Sequence, residues 1–194
     1  MISLNLLAAS ALVSAPALAG AGAAPASVPA SAASAPAAGP PPFPATPQPA
    51  DLLDFWLGDW TVTWTNANGS TGHARNRVTR VLGGAVIEEN FEQDAGDPAP
   101  LLHGRSLSVR QQATGTWRQA WVDDQGGFFA LTASVDGEKR LFTTPMRGVG
   151  DQERGQRMVF HDIRPDAFTW DWQGTTDGGR TWTLLWRIEY ARRR

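Results

Sequence analysis

Two carboxylates in the middle of this chain have a setting suited to proton-transfer chemistry. Glu89 alternates with Ile87 and Phe91, and Asp123 alternates with Trp117, Gln119 and Trp121, so each can point from the apolar face of a strand. An acid placed there has its pKa raised by desolvation, which is how a general acid is made. A glycosidase or proton-transfer enzyme needs two such acids in different surroundings on one cleft. Each residue also has a plainer reading. Asp123-Asp124-Gln125-Gly126-Gly127 is a turn signature, and Glu89 can sit at the end of the fold paired with an arginine. Arg75 and Arg77, two apart, form a bidentate grip on a carboxylate if they face inward, although Val78 and Leu82 on the opposite parity favour the outward arrangement.

Other chemistries find less. The chain has no cysteine, which removes thiolate catalysis and zinc–cysteine sites. His73, His103 and His161 show no spacing of the kind that puts two imidazoles on one face, so no metal site is expected. No nucleophile elbow, phosphate loop or dinucleotide fingerprint is present. Ser106 and Ser108 alternate with Leu107 and Val109 within a strand and read as small residues that leave space. Thr175-x-Asp177-x-Gly179-x-Thr181-Trp182 has the form of an Asp-box, but it occurs once, whereas propellers repeat it in every blade. It reads as a hairpin clip, its carboxylate satisfying turn amides.

The elements that must position these residues are strands. All charged residues and all histidines of the 194-residue chain lie beyond position 50, so two different materials are joined there. Met1 to Ala19 has a short apolar stretch ending in Ala17-Leu18-Ala19, the pattern of a cleaved signal peptide, and is too short and too rich in small residues to span a membrane. Residues 20–50 are mostly Ala, Pro, Ser and Gly, with Val28 and Phe43 the sizeable apolar side chains, and read as a disordered spacer. Residues 51–194 form one domain, and the expected location is outside the cytoplasm, periplasmic or extracellular. A net charge of −2 leaves no footprint for nucleic acid, and Arg192, Arg193 and Arg194 read as a solvated tail.

Asp51 to Leu57 suggests a short helical turn, ended by Gly58. From Trp60 onward the period is two, with strands expected near 60–65, 72–82, 85–92, 102–110, 116–123, 127–135, 139–145, 154–163, 167–174 and 181–191. Asn66-Ala67-Asn68-Gly69, Gly83-Gly84, Asp136-Gly137 and Asp177-Gly178-Gly179 are hairpin chemistry. Sequential hairpins make a meander, and closing it abolishes its exposed edges. The expected fold is therefore all-β, an up-and-down antiparallel β-barrel of about ten strands. Alternation puts Trp60, Val62 and Trp64 on one face, likewise Trp117 and Trp121, likewise Phe168, Trp170 and Trp172, and likewise Trp182, Leu184, Trp186, Ile188 and Tyr190.

Phe55-Trp56-Leu57-Gly58-Asp59-Trp60, Trp117-Arg118-Gln119-Ala120-Trp121-Val122-Asp123 and Asp177-Gly178-Gly179-Arg180-Thr181-Trp182 resemble a family of bacterial secreted proteins of unknown function with a calycin-like barrel. The resemblance implies a shape related to lipocalins, fatty-acid-binding proteins and nitrobindins, which carry small apolar ligands or haem. Gly58-x-Trp60 is similar to the start of lipocalins, where the tryptophan plugs the closed end and a late arginine packs on it. By that resemblance Trp60 is structural, with Arg192 or Arg187 as its partner. In barrels of the nitrobindin type a late histidine ligates haem iron, which makes His161 the haem candidate; no cofactor is expected.

The leading functional expectation is a barrel that binds a small apolar or amphipathic molecule. The residues expected to contact it are Trp64, Arg75, Glu89, Gln119, Trp121, Asp123, Trp170 and Trp172. The alternatives are a periplasmic enzyme using Glu89 and Asp123 as acid and base, and a filled barrel with a structural or envelope role.

Overall fold

The computed structural model describes residues 46–97 and 100–194. The expected signal peptide, and the expected spacer as far as residue 45, lie outside them. A 3₁₀ turn over Asp54–Trp56 precedes β1 (Gly58–Thr65), β2 (Thr71–Val81), β3 (Val86–Gln93), β4 (His103–Arg110), β5 (Trp117–Asp123) and β6 (Phe128–Asp136). Then follow β7 (Lys139–Thr143), β8 (Arg147–Val149), β9 (Gln152–His161), β10 (Ala167–Thr175) and β11 (Thr183–Arg192). All pairings between these strands are antiparallel. The sheet runs β10-β11-β1-β2-β3-β4-β5-β6-β7-β9, and β9 pairs back onto β10, so ten strands close into a barrel. Among the described residues no helix is long and apolar enough to cross a membrane.

Closure follows from period-two patterning. In β2 the burial alternates strictly, with Gly72, Ala74, Asn76 and Val78 inside and His73, Arg75 and Arg77 outside. Burying one face of each strand while hydrogen-bonding both edges satisfies the backbone and the apolar side chains together.

Three expectations need correction. Besides the ten barrel strands there is β8, which forms a small hairpin with the start of β9 at the barrel's lip. All three of its residues are exposed, so no apolar alternation marked it. Leu184 does not share the inner face of Trp186, Ile188 and Tyr190. The β10–β11 register slips between Trp172 and Gln173, pairing Trp172 with Trp186 but Gln173 with Leu184. The bulge at Leu185 turns Leu184 outward, where it is 47% exposed. Finally, the spacer does not run to residue 50. Gln48 is buried, its backbone N–H donating to Gly115 at 2.9 Å and its Oε1 accepting from the Trp117 N–H at 2.9 Å. The Trp117 indole donates to the Pro49 carbonyl at 2.9 Å. Thr46–Pro49 is thereby docked on the barrel.

One end of the barrel is plugged. Trp60 is fully buried, and its indole donates to the Trp56 carbonyl at 2.8 Å. Phe168 meets Trp60 edge-to-face at 4.9 Å, and Phe55, Trp56 and Phe160 extend the same aromatic network, with Trp56–Phe160 at 5.2 Å. Of the two expected partners of Trp60, the structure selects Arg192, whose guanidinium lies 4.2 Å over the indole. The same group donates to the carbonyls of Leu57, Phe55 and Pro165 at 2.7, 3.0 and 2.8 Å. Gly58 is required here: its φ is +129°, and a β-carbon on it would overlap Arg192. Arg192 is thus part of the plug and not of a solvated tail.

Candidate functional site

Above the plug the interior changes character. The register aligns Val78, Glu89, Ser106, Trp121 and Phe129 as one row across β2 to β6. The neighbouring row toward the plug contains Ile87, Ser108, Gln119 and Leu131. Serines on β4 keep side-chain volume low where long side chains converge from β3 and β5. Asn76 enters from β2 and Tyr190 from β11.

These polar groups form a buried cluster. Glu89 is 4% exposed; its Oε1 accepts from Asn76 Nδ2 at 2.7 Å and its Oε2 from the Ser106 hydroxyl at 2.6 Å. Asn76 Nδ2 also donates to the Tyr190 hydroxyl at 3.1 Å. Gln119 Nε2 donates to the Ser106 and Ser108 hydroxyls at 3.1 and 2.9 Å. Two acceptors, Asn76 Oδ1 and Gln119 Oε1, are buried without a partner. Orphan acceptors of this kind are uncommon, because each forfeits the hydrogen bonds it made to water. Burial pushes the Glu89 carboxyl up to about 7, against the opposing effect of its bonds from Ser106 and Asn76. Burial, and then the charge on Glu89, push the Tyr190 phenol well up. Glu89 takes part in none of the ion pairs formed by the described residues.

An aromatic collar closes over this cluster at the unplugged end. Around the mouth, Trp121 meets Phe91 at 6.3 Å, Phe91 meets Trp186 at 6.4 Å, and Trp186 meets Trp170 at 6.0 Å. Trp170 stacks on Trp172 at 6.0 Å, Trp172 meets Phe129 at 5.2 Å, and Phe129 pairs back across the strands with Trp121. Trp64 lies edge-on to Trp186 at 5.2 Å. Trp121, Phe129, Trp170, Trp172 and Trp186 are each only partly buried. The rings of Trp64 and Trp121 lie over Gly72 and Gly104, where a β-carbon would overlap the indoles. Glycine on the neighbouring strand is what lets these two rings lie close against the wall.

The expected contact residues separate into two groups. Trp64, Glu89, Gln119, Trp121, Trp170 and Trp172 lie on the inner face and line either the cluster or the collar. Arg75 does not: it is on the exposed outer face of β2, opposite in parity to Asn76. Asp123 sits at the lip as a turn clip and makes no acid pair with Glu89. Its Oδ2 accepts from the Trp121 indole at 2.9 Å, and its Oδ1 from the N–H groups of Gln125 and Gly127 at 3.1 and 2.7 Å. Asn76, Ser106, Ser108 and Tyr190 in the cluster and Phe91, Phe129 and Trp186 in the collar lie outside the expected contacts. The parity that places Val78 inward also places Asn76 inward, so its signal was available.

His161 points away from the interior, where the haem reading needed it. Its neighbours Phe160 and Met158 carry the inner face, while its Nδ1 and Nε2 lie 2.8 Å from Asp162 and 3.3 Å from Asp171 on the outside. Asp171 is held by a bidentate pair from Arg187 at 2.7 and 2.8 Å. Burial acts to raise its pKa, but the Arg187 bonds and charge outweigh this and hold it low. Arg187 is therefore committed to the outer surface. Among the described residues no group of acidic or histidine side chains is arranged to hold a metal ion.

Two surface clefts lie elsewhere. One, of about 450 Å³, crosses the lip at Phe91, Gly104 and Asp123; the other, of about 480 Å³, lies between Thr46–Leu52 and the strands β6 and β7. Neither is lined by Glu89, whose cluster sits beneath the collar. The hairpin after β10 has the expected clip. Asp177 accepts from the hydroxyls of Thr175 and Thr181 at 2.7 and 2.6 Å and from the Thr181 N–H at 3.0 Å. Those bonds, the Thr181 ones first, hold its carboxyl well below the usual range. No family model matches the chain, and neither does any curated protein.

Proposed function

We propose that this chain is an exported carrier that holds a small amphipathic molecule at the unplugged end of its barrel. The apolar body of that molecule packs on the collar of Trp64, Trp121, Trp170, Trp172 and Trp186, and its polar group turns down toward Glu89, Asn76 and Gln119. The observation that carries this reading is a buried polar cluster with two unpartnered acceptors beneath indoles most of which are only partly buried. Ligand sites characteristically combine an apolar lining with a few convergent polar groups. Partly exposed rings gain burial when a ligand packs on them, at roughly 25 cal/mol for each Å² removed from water. The plug formed by Gly58, Trp60 and Arg192 supports kinship with calycin-like barrels. An acid–base enzyme has less support, because Asp123 spends its oxygens on a turn.

Native mass spectrometry of protein recovered from its own host, outside the cytoplasm, tests the reading. The expected result is a small molecule retained on the folded chain. A bare mass, together with tryptophan emission that ignores octylamine, octan-1-ol and octanoate, overturns it.

A further inference from the structure

The interior cluster has a consistent chemical bias. Its charged group is a carboxyl, and its two unpartnered buried atoms, Asn76 Oδ1 and Gln119 Oε1, are both acceptors. The amide N–H groups of Asn76 and Gln119 are already spent on Glu89, Tyr190, Ser106 and Ser108. Among the described residues no cationic side chain forms an ion pair with the carboxyl. Arg75 and Arg77 on β2 face out, Arg187 is committed to Asp171, and Arg192 is committed to Trp60 and the plug carbonyls. Tyr190 on β11 is the titratable group that bears on Glu89, and it brings no positive charge. Above this acceptor-rich floor stand indole faces, which attract cations and not anions.

Building on the carrier reading, we infer that the ligand is an amphipathic organic cation, a protonated amine that supplies the counter-charge Glu89 lacks and the donors that Asn76 Oδ1 and Gln119 Oε1 lack. A buried carboxylate without a counter-charge is unfavourable, and an ammonium group completes the pair while the tryptophan rings cover its hydrocarbon flank. An anionic amphiphile such as a fatty acid meets the opposite situation. Its carboxylate would face another carboxyl and two carbonyl oxygens, with no arginine to receive it.

The test uses octylamine, octan-1-ol and octanoate, which share one chain and differ in head group. Titration calorimetry and tryptophan emission are recorded for the wild-type protein and for Glu89→Gln. The expected result is at least tenfold tighter binding of octylamine than of octan-1-ol, weaker binding still of octanoate, and loss of the octylamine preference in Glu89→Gln. The wild-type protein provides a check that does not depend on the variant folding. With its carboxyl pushed up to about 7 by burial, Glu89 is mostly protonated at pH 6, so an arriving ammonium group drives that proton into the buffer. Titrations in buffers of different ionisation enthalpy then show close to one proton released per octylamine bound and none per octan-1-ol. If octanoate or octan-1-ol binds as tightly as octylamine, or if no proton is released, the cation inference falls while the carrier reading stands. If none of the three binds, the carrier reading falls and takes the inference with it.

Discussion

Replacing Glu89 by glutamine tests the buried carboxyl most directly, because the side chain keeps its shape, loses its titration and exchanges one accepting oxygen for an amide NH2. Burial pushes the folded-state value from an ordinary 4.5 to about 7. Between those values the folded chain holds a proton that the unfolded chain has released, so rising pH favours unfolding. The contribution is fully present below 4.5 and gone above about 7. A tenfold difference in proton affinity corresponds to about 1.4 kcal/mol, which makes the whole effect about 3 kcal/mol, of which about 2–3 kcal/mol falls between pH 5 and pH 8. Glutamine at this position does not titrate, and its amide can donate to Asn76 Oδ1 if that amide turns over. Urea unfolding of both proteins at pH 5, 6, 7 and 8 measures the difference, with all other titrating groups cancelling between them. The expected outcome is a wild-type stability that falls by about 2–3 kcal/mol relative to Glu89→Gln across this range. Curves that stay parallel within about 0.5 kcal/mol, which corresponds to a pKa shift of under about 0.4, refute the burial of an ionisable carboxyl in this cluster.

Three further outcomes can be measured on the same material. Arg192→Leu removes a cation–π contact and three charge-assisted bonds to backbone carbonyls, and is expected to lower stability by about 2–4 kcal/mol, whereas Arg193→Leu at an exposed neighbour leaves the urea midpoint unchanged. Gly104→Ala puts a β-carbon where the Trp121 ring lies, so the indole must leave the wall; a red-shifted emission and a stability loss of about 1–3 kcal/mol are expected, and an unmoved spectrum counts against the collar geometry. Asp177→Ala frees the turn between β10 and β11, and is expected to speed amide hydrogen exchange at residues 176–182 without shifting the global transition.

Local chemistry carried the fold into view, since period-two alternation and turn residues are properties of adjacent residues. The same parity argument placed Glu89, Gln119, Trp64, Trp121, Trp170 and Trp172 on inner faces, where they lie. It failed where geometry departs from strict alternation. The bulge at Leu185 reverses parity within β11, and nothing in Thr183-Leu184-Leu185-Trp186 signals which residue is extra. The parity of Val78 turns Arg75 outward, and the outer face holds it despite chemistry suited to gripping an anion. Thr46–Pro49 reads as spacer by composition, and only tertiary bonds from Trp117 and Gly115 give it a place. The hydroxyl of Tyr190 could not be assigned to the Glu89 cluster from sequence, because 114 positions separate it from Asn76.

That separation links the site to closure of the barrel. Asn76 and Tyr190 meet because β1 pairs with β2 on one side and with β11 on the other, setting Val62 between Ala74 and Tyr190. Trp186, which joins the Phe91 and Trp170 sides of the collar, arrives on the same final strand. An open meander ending at β10 would retain Glu89, Ser106 and Gln119 as neighbours but would leave the carboxyl facing water, where its proton affinity has no reason to rise. The strand that completes the hydrogen-bonding circuit therefore also completes the desolvation. Arg192, near the end of that strand, ties it to the Trp60 plug through the carbonyls of Phe55 and Leu57. Stability at the plugged end thus holds in place the last wall of the polar cluster, and a weakened plug should reach Glu89 through β11 before any residue of the site is altered.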